Sequence, residues 1–129
     1  MAHPNEELVR SVYDAFAKGD MDTITRVLAD DIVWHSLGKH HFAGDYKGKD
    51  AVLGLFGTLM QETGGTFQVE LHDLLANDTH AVALQTNRAE RKGRRIEYRD
   101  VLIFHVSGGR VTEAWPFLEN PDEHAAFYA

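Results

Sequence analysis

At 129 residues, with 13 basic against 20 acidic side chains and a formal net charge of −7, the chain has one domain's length. That charge has the wrong sign for gripping a nucleic-acid phosphate backbone. The lack of cysteine excludes disulfides and thiolate metal sites, and no apolar run is long enough to span a bilayer.

Residues 5–18 set Leu8, Val9, Val12, Ala15 and Phe16 on one helical stripe. Gly19 suits the left-handed residue that ends a helix, and Asp20 can accept a hydrogen bond from a free N–H of the next one. A second helix is expected over residues 21–29, with Ile24, Val27 and Leu28 inward and Asp30 and Asp31 closing it. Residues 32–37 then read as a strand that carries Trp34 and His35. The Gly- and His-rich loop from Gly38 to Gly48 has room for a very short strand at residues 41–43. Lys49 and Asp50 open a third helix, with Val52, Leu53, Phe56, Leu59 and Met60 on one side, ending at Gly64-Gly65.

From Thr66 onward the period becomes alternating. Strands are expected at 66–76, 80–91, 95–106 and 110–118, punctuated by Asn77-Asp78, Lys92-Gly93 and Ser107-Gly108-Gly109. Tight turns make these strands antiparallel. A short capped helix follows Asn120. Three helices followed by a long meander predict a single α+β domain over 1–129, with helices on one face of the sheet.

The Gly19-Asp20 corner, the strand after Asp30-Asp31, the stretch Gly44 to Asp50 and the last strand from Gly109 to Trp115 carry a resemblance over essentially the whole chain. Their order and spacing resemble the SnoaL-like branch of the NTF2-like superfamily, the ketosteroid-isomerase-type folds. The resemblance implies a strongly curved antiparallel sheet closed by the helices into a cone with a deep apolar pocket. It also implies a homodimer, formed through the outer face of the sheet. Steroid isomerases of that superfamily use a strand carboxylate, a helix tyrosine and a protonated aspartate. Counted from the Gly19-Asp20 corner, these positions fall on Ser36, on Val12 beside Tyr13, and near Asp100. The full steroid-isomerase set is therefore missing, and a simple ketosteroid isomerase is disfavoured.

Asp100 interrupts an apolar alternation and shares its face with Tyr98, Leu102 and Phe104. On a concave face its pKa would rise and suit it to acid/base work. A structural ion pair with Arg88, Arg95 or Arg99 is the competing reading. His35 is the second acid/base candidate, but alternation puts it opposite Trp34, so only one of the two can face the pocket. Tyr13 either anchors the first helix to the sheet or offers its hydroxyl to a ligand. Trp34, Ser36, Tyr98, Leu102 and Trp115 are candidate pocket walls, with Phe117 and Glu113 beside Trp115. His105 reads as a satisfied sheet histidine. His40 and His41, with Asp45 and His35 or His72, have nonspecific metal spacing and read better as a surface loop, so no metal is expected. The basic cluster from Arg88 to Arg95 reads as a solvated turn.

No nucleophile elbow, phosphate loop or dinucleotide fingerprint is present. The expectation is a cofactor-independent enzyme acting by acid/base chemistry on a small, largely apolar metabolite. Isomerisation, cyclisation, dehydration and epoxide opening are the reaction classes the resemblance implies. The alternative is a non-catalytic small-molecule-binding or dimerisation module of the same fold. Neither nucleic acid nor membrane is an expected partner. The stretch from Met1 to Glu7 lacks the charge and apolar pattern of a secretory signal, so a cytoplasmic location is expected.

Overall fold

In a computed structural model describing residues 2–129, helix α1 (Pro4–Lys18) begins where the sequence supplies three starting signals. Pro4 needs no intrahelical donor there, the His3 ring accepts from the Asn5 N–H at 3.0 Å, and Glu6 and Glu7 face the positive helix end. Gly19 ends the helix at φ 70°, a left-handed conformation that a Cβ would penalise. Asp20 then caps α2 (Met21–Val27), accepting from the Thr23 N–H at 3.2 Å and the Thr23 hydroxyl at 2.7 Å.

Strand β1 (Leu28–Ser36) follows α2 without a loop. Asp30 and Asp31 therefore do not close a helix; both are exposed within the strand, and Asp30 pairs with Lys49 at 3.0 Å. Burial of Leu28, Ala29 and Ile32, together with Leu28 pairing to Val111, overrides the helical pattern at this point. The next strand, β2 (Gly44–Lys47), lies just beyond the expected residues 41–43, which are taken up by a turn whose Ala43 N–H reaches the His40 carbonyl. After α3 (Lys49–Glu62) come β3 (Gln68–Ala76), β4 (His80–Arg91), β5 (Arg94–Ser107) and β6 (Arg110–Leu118), then α4 (Pro121–Tyr128).

The six strands form one sheet in the order β2-β1-β6-β5-β4-β3. Every pairing is antiparallel except β1 with β6, which the long intervening chain allows to run parallel. The sheet is thus curved, open and mixed. Register shifts between Leu28 and Val33, Leu71 and Asp73, and His105 and Val106 supply local kinks of the kind that bend a sheet. None of the described helices is long and apolar enough to cross a membrane.

Buried side chains fall into two clusters. Val9, Ile24, Ile32, Leu102 and Phe104 belong to one, under α1 and α2; Phe67, Ile96, Tyr98, Phe127 and Tyr128 form the other, under α4. Along the concave face of β5, Phe104 and Leu102 belong to the first and Tyr98 and Ile96 to the second. Asp100 sits at the join.

The corner between α1 and α2 gives a direct test. Gly19→Ala should cost about 1 kcal/mol through its positive φ alone, since its added Cβ would meet no atom within 4 Å. The expected result is a thermal midpoint lower by a few degrees in calorimetry.

Candidate active site

Between the two clusters lies a cavity of about 150 Å³. Its walls are Val12, Tyr13 and Phe16 of α1, Leu55, Phe56 and Leu59 of α3, Trp34 and Ser36 of β1, and the concave faces of β3 to β6. Trp34 packs edge-on against Phe56 and Phe104, with centroids at 5.1 and 6.1 Å. Most of the lining is aromatic or aliphatic, so any ionised group inside it loses hydration.

Asp100 is that group, and it is buried. Its Oδ1 accepts from the Asn87 amide at 2.8 Å, and Asn87 Oδ1 accepts from Gln85 Nε2 at 3.2 Å. Gln85 Oε1 in turn accepts from the Tyr13 hydroxyl at 2.5 Å. The direction of this relay is set at the carboxylate end, because an ionised carboxylate only accepts. Asn87 must therefore present its NH₂, Gln85 must do the same one step back, and Tyr13 must donate. Gln85 also faces Asp100 directly across the β4–β5 register, close enough for its amide to lower the carboxyl pKa. The geometry gives Oδ2 no well-formed hydrogen bond among the described residues.

Among the described residues, no cation pairs with Asp100. Arg99 pairs with Glu119 at 2.5 Å, Arg88 with Glu97 at 3.0 Å and Arg95 with Glu90 at 2.8 Å, all on exposed surface. Burial raises the Asp100 pKa from 3.8 to about 6, and the Asn87 and Gln85 amides partly offset that rise. Burial also drives the Tyr13 hydroxyl far above its ordinary range, with the Asp100 charge adding to the effect. Tyr13 is a neutral donor already committed to Gln85, which narrows its role as a donor to a ligand.

Six sequence-predicted positions meet around the cavity: Tyr13, Trp34, Ser36, Tyr98, Asp100 and Leu102. His35 and Trp115 do not. Strand alternation turns Trp34 inward and so His35 outward, which corrects the reading of His35 as a pocket-facing acid/base. His35 stacks on Trp115 at 5.2 Å on the convex face, with Asp45 at 2.7 Å and Glu113 at 2.6 Å on its two nitrogens. Its pKa is raised, first by the Glu113 hydrogen bond. Trp115 faces outward for the same reason, as Ala114 and Pro116 take the inward phase of β6. The weighed metal ligands also diverge: His41 bonds Glu62, His40 bonds Ser36, and no metal-competent cluster occurs among the described residues.

Gln85 and Asn87 escaped the sequence reading. Their signal was two amides at alternate positions in a strand whose other inward residues are Ala81, Ala83 and Ala89. His124 was missed as well; it lines the cavity from α4.

An α+β sheet curved around an apolar hollow with helices over its concave face defines an NTF2-like protein. A profile of the SnoaL-like domain matches residues 9–114, and the chain belongs to that family. The uncharacterized protein Rv0034 of Mycobacterium tuberculosis is 35% identical over 124 residues, 95% of each chain. Bal32a, from a soil-derived mobile gene cassette, superimposes with a TM-score of 0.95 at 34% identity, covering 99% of this chain and 98% of that one. TerC, co-crystallised with polyporic acid, shares the fold at a TM-score of 0.83 and 17% identity, covering 98% of this chain and 100% of its own.

The buried carboxylate has a thermodynamic signature. Its folded-state pKa lies about two units above the unfolded value, so the native state binds the extra proton between pH 4 and 6. Stability linked to this group is greatest below pH 4 and declines as pH rises through 6, by about 3 kcal/mol. Asp100→Asn should therefore gain stability over the parent between pH 4 and pH 7.5, on the order of 1–3 kcal/mol in urea unfolding.

Proposed function

We propose that the protein is a cofactor-independent acid/base catalyst acting on a small, largely apolar carbonyl compound or a related metabolite. The observation that carries this reading is Asp100: a buried carboxylate in an apolar cavity, held by the Asn87 amide with Gln85 beside it, and paired with no cation among the described residues. With a pKa of about 6, the group is largely ionised near neutrality yet basic enough to take a proton from carbon, close to the compromise that general-base catalysis favours. Oδ2 would remove the proton and return it at a neighbouring position, giving isomerisation. Trapping of the same carbanion by an internal electrophile would give cyclisation. Tyr13, Gln85 and Asn87 hold Asp100 in place, while Trp34, Tyr98 and Leu102 exclude water. Ser36 supplies a hydroxyl on the β1 wall. That TerC was crystallised with a small molecule bound supports a ligand role for the hollow.

Deuterium exchange tests the chemistry without knowledge of the natural substrate. In D₂O the protein should speed α-proton exchange of small aryl ketones, with a rate that rises through pH 6 and levels off above it. Asp100→Asn should lose at least about a hundredfold. Binding of the same ketones without any exchange would favour the alternative, a non-catalytic binding module.

The assembly we propose is a homodimer through the convex face, and the location cytoplasmic. On that face two rows run across β4, β5 and β6: Val82, Ile103 and Trp115, then Leu84, Val101 and Phe117. Phe117 is 50% exposed, and the other five are partly exposed. An apolar surface of this continuity is rarely left to solvent. Light scattering should give twice the chain mass at micromolar concentration, falling to the monomer for Ile103→Glu. A parent that is monomeric at that concentration would count against the dimer.

A further inference from the structure

The cavity has a second polar end, away from Asp100. His124 of α4 is 5% exposed and His40 of the loop after β1 is 7% exposed; both line the cavity. Their rings meet at a centroid distance of 4.6 Å and an angle of 74°. His124 also packs edge-on against Tyr98 at 5.1 Å and near Tyr128 at 4.9 Å. Buried polar atoms almost always have partners, and three here have none: Nδ1 of His40, Nδ1 of His124 and the Tyr128 hydroxyl. Nothing in the Asp100 relay uses any of them.

The two histidines are not equivalent. His40 Nε2 engages the Ser36 hydroxyl at 3.2 Å, and a Cβ built on Gly38 would come within 3.0 Å of His40 Nδ1, so the loop backbone covers that edge. His124 hydrogen-bonds through its ring to no described residue. Its Nδ1 is buried, which leaves Nε2 as the nitrogen for a ligand to meet. Burial holds both rings at a pKa of about 4, with the neighbouring His41 adding to the effect on His40 and His40 adding to it on His124, so both are neutral at physiological pH. A neutral imidazole carries one N–H and one lone pair, and a ligand hydroxyl, which donates and accepts at a single atom, satisfies either tautomer.

Position then constrains the ligand. Tyr98, against which His124 packs edge-on, is two residues from Asp100 on the same strand face, roughly 7 Å along β5. A cavity of 150 Å³ accommodates a single ring, the size of an engineered cavity that binds benzene.

We propose that His124, positioned by His40, is a hydroxyl-binding subsite, and that the ligand is a compact ring bearing a hydroxyl at the end opposite the group that meets Asp100. The proposal rests on the cavity being the ligand site, as argued above. It assigns His124 to recognition, and His40 acts through it.

A matched pair of probes separates the possibilities: 4-hydroxyacetophenone and 4-methylacetophenone, nearly equal in size and differing in one hydrogen-bonding group. Binding is read by calorimetry and by quenching of the fluorescence of Trp34, the tryptophan on the cavity wall. Apolar burial alone favours the methyl compound. The parent protein should instead prefer the hydroxyl compound by about tenfold, the worth of one buried hydrogen bond. His124→Phe keeps the ring packing on Tyr98 and removes both nitrogens; it should reverse the preference toward the methyl compound without loss of its affinity. His40→Phe should weaken the preference while retaining part of it. A hydroxyl preference that survives His124→Phe, or a parent that favours the methyl compound, overturns the subsite and leaves the ligand cavity standing. Failure of the parent to bind either probe counts against the cavity reading itself, and the subsite falls with it.

Discussion

A negative charge that can only accept hydrogen bonds, buried where no described cation pairs with it, orders the interior of this protein. From Asp100 the requirement passes to Asn87, to Gln85 and to Tyr13, fixing which way each amide points and where the tyrosine proton goes. The relay links β5 to β4 and β4 to α1, so one electrostatic demand also ties the first helix to the concave face of the sheet. An apolar side chain at position 100 would release all three partners at once. The buried amides would then need new partners, a conflict that makes half-satisfied polar networks costly.

Packing explains why the hollow survives. The two core clusters belong to different helices, α1 with α2 on one side and α4 on the other, and Asp100 stands where they fail to merge. Aromatic side chains meet edge-on around the gap, with Trp34 against Phe56 and Phe104, and Phe16 against Phe56 and Phe67. Rigid rings held in this way leave space that flexible aliphatic chains would fill. Stability has been given up at one point, as proteins commonly do where a function needs a strained or desolvated group.

The sequence was most legible where local pattern and tertiary context agree. β4 occupies residues 80–91, as its alternation predicts, because tight turns pin both ends. The cap at Asp20 and the left-handed Gly19 were readable from their own chemistry. The end of α2 was not, since Leu28 and Ala29 suit a helix locally and become strand only through pairing with β6 and burial beneath α1 and α2. That pairing joins distant parts of the chain and leaves no local mark. His35 shows the cost of an undetermined phase: Trp34 and His35 both invite a pocket role, and only the docking of β1 chooses between them. His124 lies on a readable stripe with Phe127 and Tyr128, but where that stripe docks depends on a helix of 8 residues with no strong preference of its own.

The open sheet has consequences for how the molecule avoids its neighbours. Its two edge strands, β2 and β3, are unlike the long apolar strands between them. β2 has only four residues, of which Asp45 and Lys47 are charged, and β3 carries Glu70, His72 and Asp73 around its register shift. Short, charged or kinked edges make poor templates for an incoming strand. A sheet rich in valine and leucine is thereby kept from growing sideways into fibrils. Crowded copies of the chain find little on either edge with which to extend one another's ladders.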